Sequence, residues 1–168
     1  MLLLNVLAVE TGTVMNKLNY MKKILNIFIF ILLFIWQLPQ NIVALCMIPT
    51  FKTLKLLSYD NYNFCFEETG MAGGISLGSF CFISKYIIDN PAIVAHEQKG
   101  HVTQSHILGP LYLLVIGLPS LIWCMTYRKL GYENYNIFYT ESWANKIAKV
   151  EPHGKYYTLR FIQNKELN

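Results

Sequence analysis

Charge is what this chain has least of. Only 14% of its 168 residues are Asp, Glu, Lys or Arg, against 54% hydrophobic residues, and the mean hydropathy is +0.33. That balance is too apolar for an ordinary soluble domain and points to a membrane, the lipid bilayer being the first expected partner. The formal net charge is only +4, and the basic residues form no patch for nucleic acid. Several instead flank apolar runs (Lys22 and Lys23, Lys52 and Lys55, Arg128 and Lys129), where they would anchor a bilayer segment. There is no C-x-x-C pair among Cys46, Cys65, Cys81 and Cys124, which argues against a cysteine zinc site or a thioredoxin-like motif. Cys46 and Cys124 lie in apolar stretches and read as buried thiols. Cys65 and Cys81 flank a Gly-rich turn and could pair outside the cytoplasm. Neither an internal repeat nor a low-complexity tract is present, and the length suits one domain.

Two apolar segments organise the chain. Met21-Lys22-Lys23 followed by an apolar run has the basic start and greasy core of an export signal or anchor, so residues 1–20 read as a mis-called extension that Thr11-Gly12-Thr13 would break. Residues 21–48 read as a membrane anchor, interrupted by Gln37, Pro39, Gln40 and Asn41 and open to a kink at Pro39; a cleaved signal peptide is the rival. Residues 58–63 are rich in Tyr, Asn and Asp and read as a loop. Phe64-Cys65-Phe66 and Ile75–Ile83 suggest two short strands, a β-hairpin around Gly70–Gly74. Asn90-Pro91 opens a helix carrying Ala92 to Ser105. The second apolar segment, 107–125, has no charge but contains Gly109-Pro110, Gly117 and Pro119, so it either spans or re-enters. A short helix is expected over 138–148, with Thr140 as its cap, and residues 151–168 form a tail. The fold class expected is therefore mainly α and membrane-associated, with a short β-hairpin ahead of a zincin-like active helix over residues 49–150.

His96-Glu97-Gln98-Lys99-Gly100-His101 carries the chemistry. It reads like the H-E-x-x-H zinc-protease motif with one residue too many. In the four-spaced form both imidazoles share a helix face and one Zn²⁺, and the Glu activates the metal's water. Five residues turn the second ring roughly 140° from the first on a regular helix, against about 40° for four. A single-turn π-bulge would bring them together, and Gly100 is the residue that most easily absorbs an irregular backbone. Catalytic zinc needs a third protein ligand, for which Glu141, His106 and His153 are the candidates. His106 follows His101 by five more residues, and His153 lies in a Pro/Gly-flanked tail. Glu141, on a later helix, occupies the position from which glutamate-zincins complete their sites.

His96 to Trp123 (HEQKGHVTQSHILGPLYLLVIGLPSLIW), with Phe138 to Asn145 (FYTESWAN), resembles a group of short bacterial membrane proteins. These read HEYGH-x-x-QS-x-x-LGPLYL-x-VIGLPS and then YTE-x-WAD. Trp36–Asn41 and Gly74–Gly78 extend the likeness to roughly residues 21–150. The resemblance implies a small gluzincin-type metallopeptidase in a bacterial cytoplasmic membrane, acting on a peptide or protein substrate. By position it implies His96, His101 and Glu141 as zinc ligands and Glu97 as the catalytic base. The chain departs from the group twice. The extra residue gives H-E-x-x-G-H, which is similar to the dipeptidyl-peptidase III motif and still binds zinc through both histidines there. Asn145 stands where the group has Asp, and would orient a ligand less strongly.

These expectations collide over topology. If both apolar segments crossed the bilayer once, His96 and Glu141 would face opposite sides and could not share a metal. Either segment 107–125 turns back, with Gly117 and Pro119 allowing the reversal, or the first segment does not span, or Glu141 is no ligand. A non-enzymatic or relict membrane protein with a structural His/Glu cluster is the alternative function.

Overall fold

The structure, a computed structural model, describes residues 2–71, 73–153 and 156–159. It is mainly helical around one small sheet. Helix α1 runs over Leu2–Trp36 without interruption, so Thr11-Gly12-Thr13 does not break it as expected. Its stretch Met15–Trp36 is apolar and long enough to be a membrane span or a signal sequence. Helix α2 covers Leu38–Met47. The break between them falls at Gln37 rather than Pro39, which sits in the first turn of α2, where its missing N–H leaves no partner wanting.

The sheet is larger than the expected hairpin. Strands β1 (Leu54–Asp60), β2 (Asn63–Glu68), β3 (Gly74–Leu77) and β4 (Phe80–Ser84) form one sheet in the order β1-β2-β4-β3. Residues 58–60, expected in a loop, belong to β1. Asn61 and Tyr62 both take positive φ (51° and 57°), the backbone a two-residue hairpin turn requires, without the glycine that usually signals it. Ile75–Ile83 is itself a hairpin, turning at Gly78-Ser79, and β2 pairs with β4 in parallel. Central β4 is buried along its whole length and splits its side chains by the period of two. Phe80 and Phe82 enter a core with Ala44, Leu77, Tyr112 and Ile116, whereas Cys81 and Ile83 pack with Cys65 on the other face. Burial of Phe82 alone contributes about 1.5–3 kcal/mol.

Cys65 and Cys81 are register partners and remain free thiols with sulfurs 4.0 Å apart. Cys46 and Cys124, expected to be buried, are exposed because they lie on the outward apolar faces of their helices.

Asn90 caps the next helix, its side chain accepting from the Ala92 amide at 2.9 Å, and Pro91 occupies the first turn as expected. Helix α3 (Pro91–Ala95) passes into a π-helical turn over His96–His101 and then into α4 (Val102–Leu108). A 3₁₀ turn at Gly109–Leu111 ends this arm. The second arm opens with another wide turn, Leu113–Gly117, and continues as α5 (Leu118–Thr126). The arms are bent by 117°, so segment 107–125 is no straight span. The reversal falls at Gly109–Tyr112 and not at Gly117 and Pro119, because Pro119 simply starts α5 while Gly109 adopts φ +51°. Helix α6 (Tyr139–Ala148) follows, then a hairpin of β5 (Val150–His153) and β6 (Tyr156–Leu159) in what was read as tail.

A buried polar knot ties the α1–α2 break to α4. Gln37, Gln40 and Asn41 are fully buried. Ser105 Oγ donates to Gln37 Oε1 at 2.7 Å, and Gln40 Nε2 donates to Ser105 Oγ at 3.0 Å and to the Gly109 carbonyl at 2.9 Å. Asn41 Oδ1 accepts from the Ser79 amide at 2.7 Å, holding the β3–β4 turn. Trp36 Nε1 donates to the His106 carbonyl at 3.0 Å, and its ring lies against Gly109, where a Cβ would sit 2.2 Å from Cε2. Gly109→Ala should therefore destabilise by about 1–3 kcal/mol or more, through overpacking and positive φ together. Gly73→Ala, which points into open space, should stay within about 0.5 kcal/mol. Thermal unfolding of the two variants in the same detergent checks this; equal midpoints would remove the steric account of the bend.

Candidate metal centre

The π-helical turn does what the five-residue spacing demanded. It brings the His96 and His101 rings onto one side, with centroids 4.7 Å apart and planes nearly perpendicular at 88°. Gly100 has a different task from the one its spacing suggested. A Cβ there would lie 2.7 Å from the Ala144 carbonyl oxygen, so its bareness lets α6 press against the turn.

That approach delivers Glu141. Its Oε2 lies 3.2 Å from His96 Nε2 and 3.4 Å from His101 Nε2, and the three ligand atoms fall within 4.8 Å of one another. His96, His101 and Glu141 are all buried. With metal–ligand bonds of ~2.0–2.1 Å in a tetrahedral arrangement, neighbouring ligand atoms stand ~3.3–3.4 Å apart, so these separations suit a shared ion. The bend after α4 resolves the topology conflict, since it keeps α6 on the same side of the fold as the π-turn. Of the other two candidates, His106 is not part of the cluster, and the His153 side chain lies outside the described residues.

The far nitrogens show which protonation state the site is built for. His101 Nδ1 faces Gln104 Oε1 at 2.8 Å, and Gln104 Nε2 donates to the Thr140 carbonyl at 2.8 Å, which fixes the amide's orientation. His96 Nδ1 faces Asn145 Oδ1 at 2.7 Å. Each Nδ1 must carry the proton to bond an amide oxygen, so each neutral ring turns a bare Nε2 lone pair toward Glu141. Asn145 thus keeps the orienting role expected of an Asp, without the charge. Glu141 is oriented in turn: its Oε1 accepts from Tyr135 Oη and Thr140 Oγ1, each at 3.2 Å, and from Ser120 Oγ. Thr140, expected as the helix cap, serves the carboxylate instead; Phe138 occupies the cap position.

The three convergent ligand atoms, one on an anion, could hold a metal ion. Burial by itself would raise the Glu141 carboxyl, but the His101 ring and then the His96 ring outweigh it and hold it well below the usual carboxylate range. Burial likewise pushes His101 down, yet the Glu141 charge and hydrogen bond prevail and raise it to about 9. Burial and then the same carboxylate raise the Tyr135 phenol, keeping it a hydrogen-bond donor. In the absence of metal a proton takes the cation's place.

Glu97 stands apart from these three. Its Oε2 accepts from Ser76 Oγ at 2.7 Å, and its Oε1 presses on Gly74 so closely that a Cβ there would lie 2.6 Å away. Strand β3, at the sheet edge, therefore backs the general-base candidate, and Tyr112 Oη ties this strand to the second arm by donating to the Ser76 carbonyl at 2.9 Å. Reading the sequence missed Ser76, Tyr112, Ser120 and Tyr135. Hydroxyls dispersed over 60 positions carry no local pattern, and nothing in the spacing marks Gln104 as the partner of His101.

No protein-family model, no curated protein and no solved structure matches this chain.

The sign of the pH dependence follows from His101. Its folded pKa of about 9 exceeds its ordinary 6.5, so its contribution to stability is fully present below 6.5 and is lost as pH rises through about 9. In chelator, the unfolding midpoint should fall across that window. With a divalent metal present the trend should reverse, because metal binding must displace the proton and strengthens with pH. Identical pH slopes with and without metal, followed by thermal unfolding, would show that no ion shares the cluster. Gly100→Ala should cost about 1–3 kcal/mol in chelator and weaken metal binding as α6 is pushed away.

Proposed function

We propose that this chain is a zinc-dependent, membrane-associated metallopeptidase that hydrolyses amide bonds, with His96, His101 and Glu141 as the ligands and Glu97 as general base. The observation that carries the reading is the meeting of both Nε2 lone pairs on Glu141 Oε2, their Nδ1 protons pinned by Gln104 and Asn145. Two imidazoles and one carboxylate are the ligand set of catalytic rather than structural zinc, which prefers cysteine-rich closed shells. A Zn²⁺ held there would supply a Lewis acid and an acidified water at the fourth position.

The chain's own groups would do the rest. Glu97, the residue after the first ligand, would accept the water's proton and pass it to the leaving amine. Ser76 holds Oε2 of that carboxylate, which leaves Oε1 to take the proton. The likeness of the 96–145 motifs to short bacterial membrane proteins supports the peptidase class and a bacterial cytoplasmic membrane, and the edge position of β3 suits strand addition by an extended peptide. A second reading, a non-catalytic metal or relict site, draws on one observation: the ligands and Glu97 are all buried, at 2–7% exposure.

The two readings separate in one experiment on purified protein. Zinc should bind at one ion per chain, be lost in His96→Ala, and be retained in Glu97→Gln. Peptidase activity on a casein-derived peptide mixture should fall in Glu97→Gln by about 10²-fold or more. Full zinc content with no Glu97-dependent cleavage would leave the structural reading. Absence of zinc from wild-type protein after incubation with excess metal would end the peptidase reading and leave a relict cluster.

A further inference from the structure

The long apolar helix is partnered on one side and bare on the other. Asn26, Phe30 and Phe34 face the sheet: Phe30 meets Tyr59 and Phe64 at 6.2 and 5.8 Å, Phe34 meets Phe80 at 6.3 Å, and Tyr62 Oη donates to Asn26 Oδ1 at 3.4 Å. On the opposite face Ile24, Phe28, Ile31 and Ile35 are about half exposed. The bare face continues through Leu38, Ile42 and Leu45 of α2. Leu118, Leu121, Ile122 and Met125 repeat the pattern on α5. Uncovered apolar surface on three helices is far more than scattered hydrophobic residues present.

A perpendicular crossing by α1 meets two obstacles. Met15–Trp36 reaches the length of a span only by including Lys17, Lys22 and Lys23; its uncharged part, Ile24–Trp36, is thirteen residues, or ~20 Å of helix where a bilayer core needs ~30 Å. The β1–β2 turn, with exposed Asp60 and half-buried Asn61, docks beside Asn26. That is ten residues before Trp36, so a crossing would carry a polar turn ~15 Å into hydrocarbon. A helix that does not cross can still seat its exposed apolar residues in one leaflet. On the sheet-facing side of α1, across from its bare face, a groove of about 500 Å³ is lined by Asn19, Lys22, Lys23, Asn26, Ile27, Phe30 and Tyr59. Two ammonium groups beside amides, above an aromatic floor, complement a phosphate joined to an acyl chain.

We propose that α1, α2 and α5 lie in the plane of one leaflet as a monotopic seat, with an anionic phospholipid headgroup in the groove between Lys22, Lys23 and Tyr59. This rests on the membrane-association part of the proposed function and is independent of its metal chemistry. It puts both ends of α1 and the metal centre on the same side of the bilayer.

Sidedness is tested with Lys17→Cys and Asp89→Cys, each in a Cys46→Ser/Cys124→Ser background. A membrane-impermeant maleimide is applied to sealed vesicles of both orientations, with denatured samples as the labelling control. Both positions should react from the same side. Reaction from opposite sides, or protection of position 17 from both, overturns the seat; recovery of the chain without membrane defeats membrane association itself. The headgroup site is tested by flotation with vesicles of phosphatidylcholine with or without phosphatidylglycerol. Lys22→Gln and Lys23→Gln should each reduce binding to the anionic vesicles about fivefold, and more than Lys52→Gln and Lys55→Gln do. Equal losses for the two pairs would leave only diffuse attraction and overturn the groove.

Discussion

A carboxylate oxygen shared between two imidazole lone pairs is the constraint around which this molecule is arranged. Placed in the interior, that combination calls for positive charge, which a proton on His101 supplies where no metal is bound, and each element about it answers either the geometry or the charge. The π-helical turn aligns the rings, Gly100 admits α6, and α6 brings the acid. Amide oxygens hold both far nitrogens, and three hydroxyls hold the oxygen of Glu141 that the rings do not use. The buried cluster leaves Asn145 Nδ2 without a partner, but its ring nitrogens and the Glu141 oxygens are all engaged, an arrangement that could hold a metal ion.

The centre was legible in the sequence to the extent that it obeys helical arithmetic. A five-residue step from His96 to His101 is incompatible with a regular helix and a common ion, so a wide turn followed from counting alone. Glu141 needed more, because its place depends on a chain reversal. The expected reversal was at Gly117 and Pro119, residues that look like breakers yet sit comfortably in a wide turn and a helix start. The bend belongs to Gly109, whose distinguishing property is a close neighbour, Trp36, seventy-three positions earlier. Contact of that kind leaves no periodic trace. The sheet was underestimated for a related reason: β1 shows exposed residues along most of its length, and its turn uses Asn61 and Tyr62 in place of glycine. Cys46 and Cys124 were misjudged because an apolar neighbourhood in sequence implies burial only where protein, not lipid, is the apolar phase.

The same distinction explains an inversion in how polarity is distributed. Gln37, Gln40, Asn41, Gln104 and Ser105 are buried, while Ile24, Leu38, Leu118 and Met125 are exposed. In water this would be a poor bargain, since apolar side chains gain by leaving solvent. Against lipid tails the exposed residues lose nothing, and helices gain more from interhelical hydrogen bonds and close backbone approach than from greasy packing. Gln40 and Ser105 supply the former and Gly109 the latter. On the proposed membrane seat, the interior polar knot and the exterior apolar face would be two consequences of one solvent.

The knot and the metal centre also share a rod. Ser105 is anchored to Gln37 and Gln40, and Gln104, its neighbour, orients His101; one turn of α4 therefore couples the α1–α2 break to a ligand. Asn41 extends the coupling through the β3–β4 turn to the strand whose Ser76 holds Glu97. Ligand and base are each fixed, by separate routes, to the six residues Trp36–Asn41. A helix break that merely ended one apolar segment and began another would need no such connections. Its polar residues hold α1 and α2 in register with the buried centre, through Ser105 and Gln104 to His101 and through Ser79 and Ser76 to Glu97.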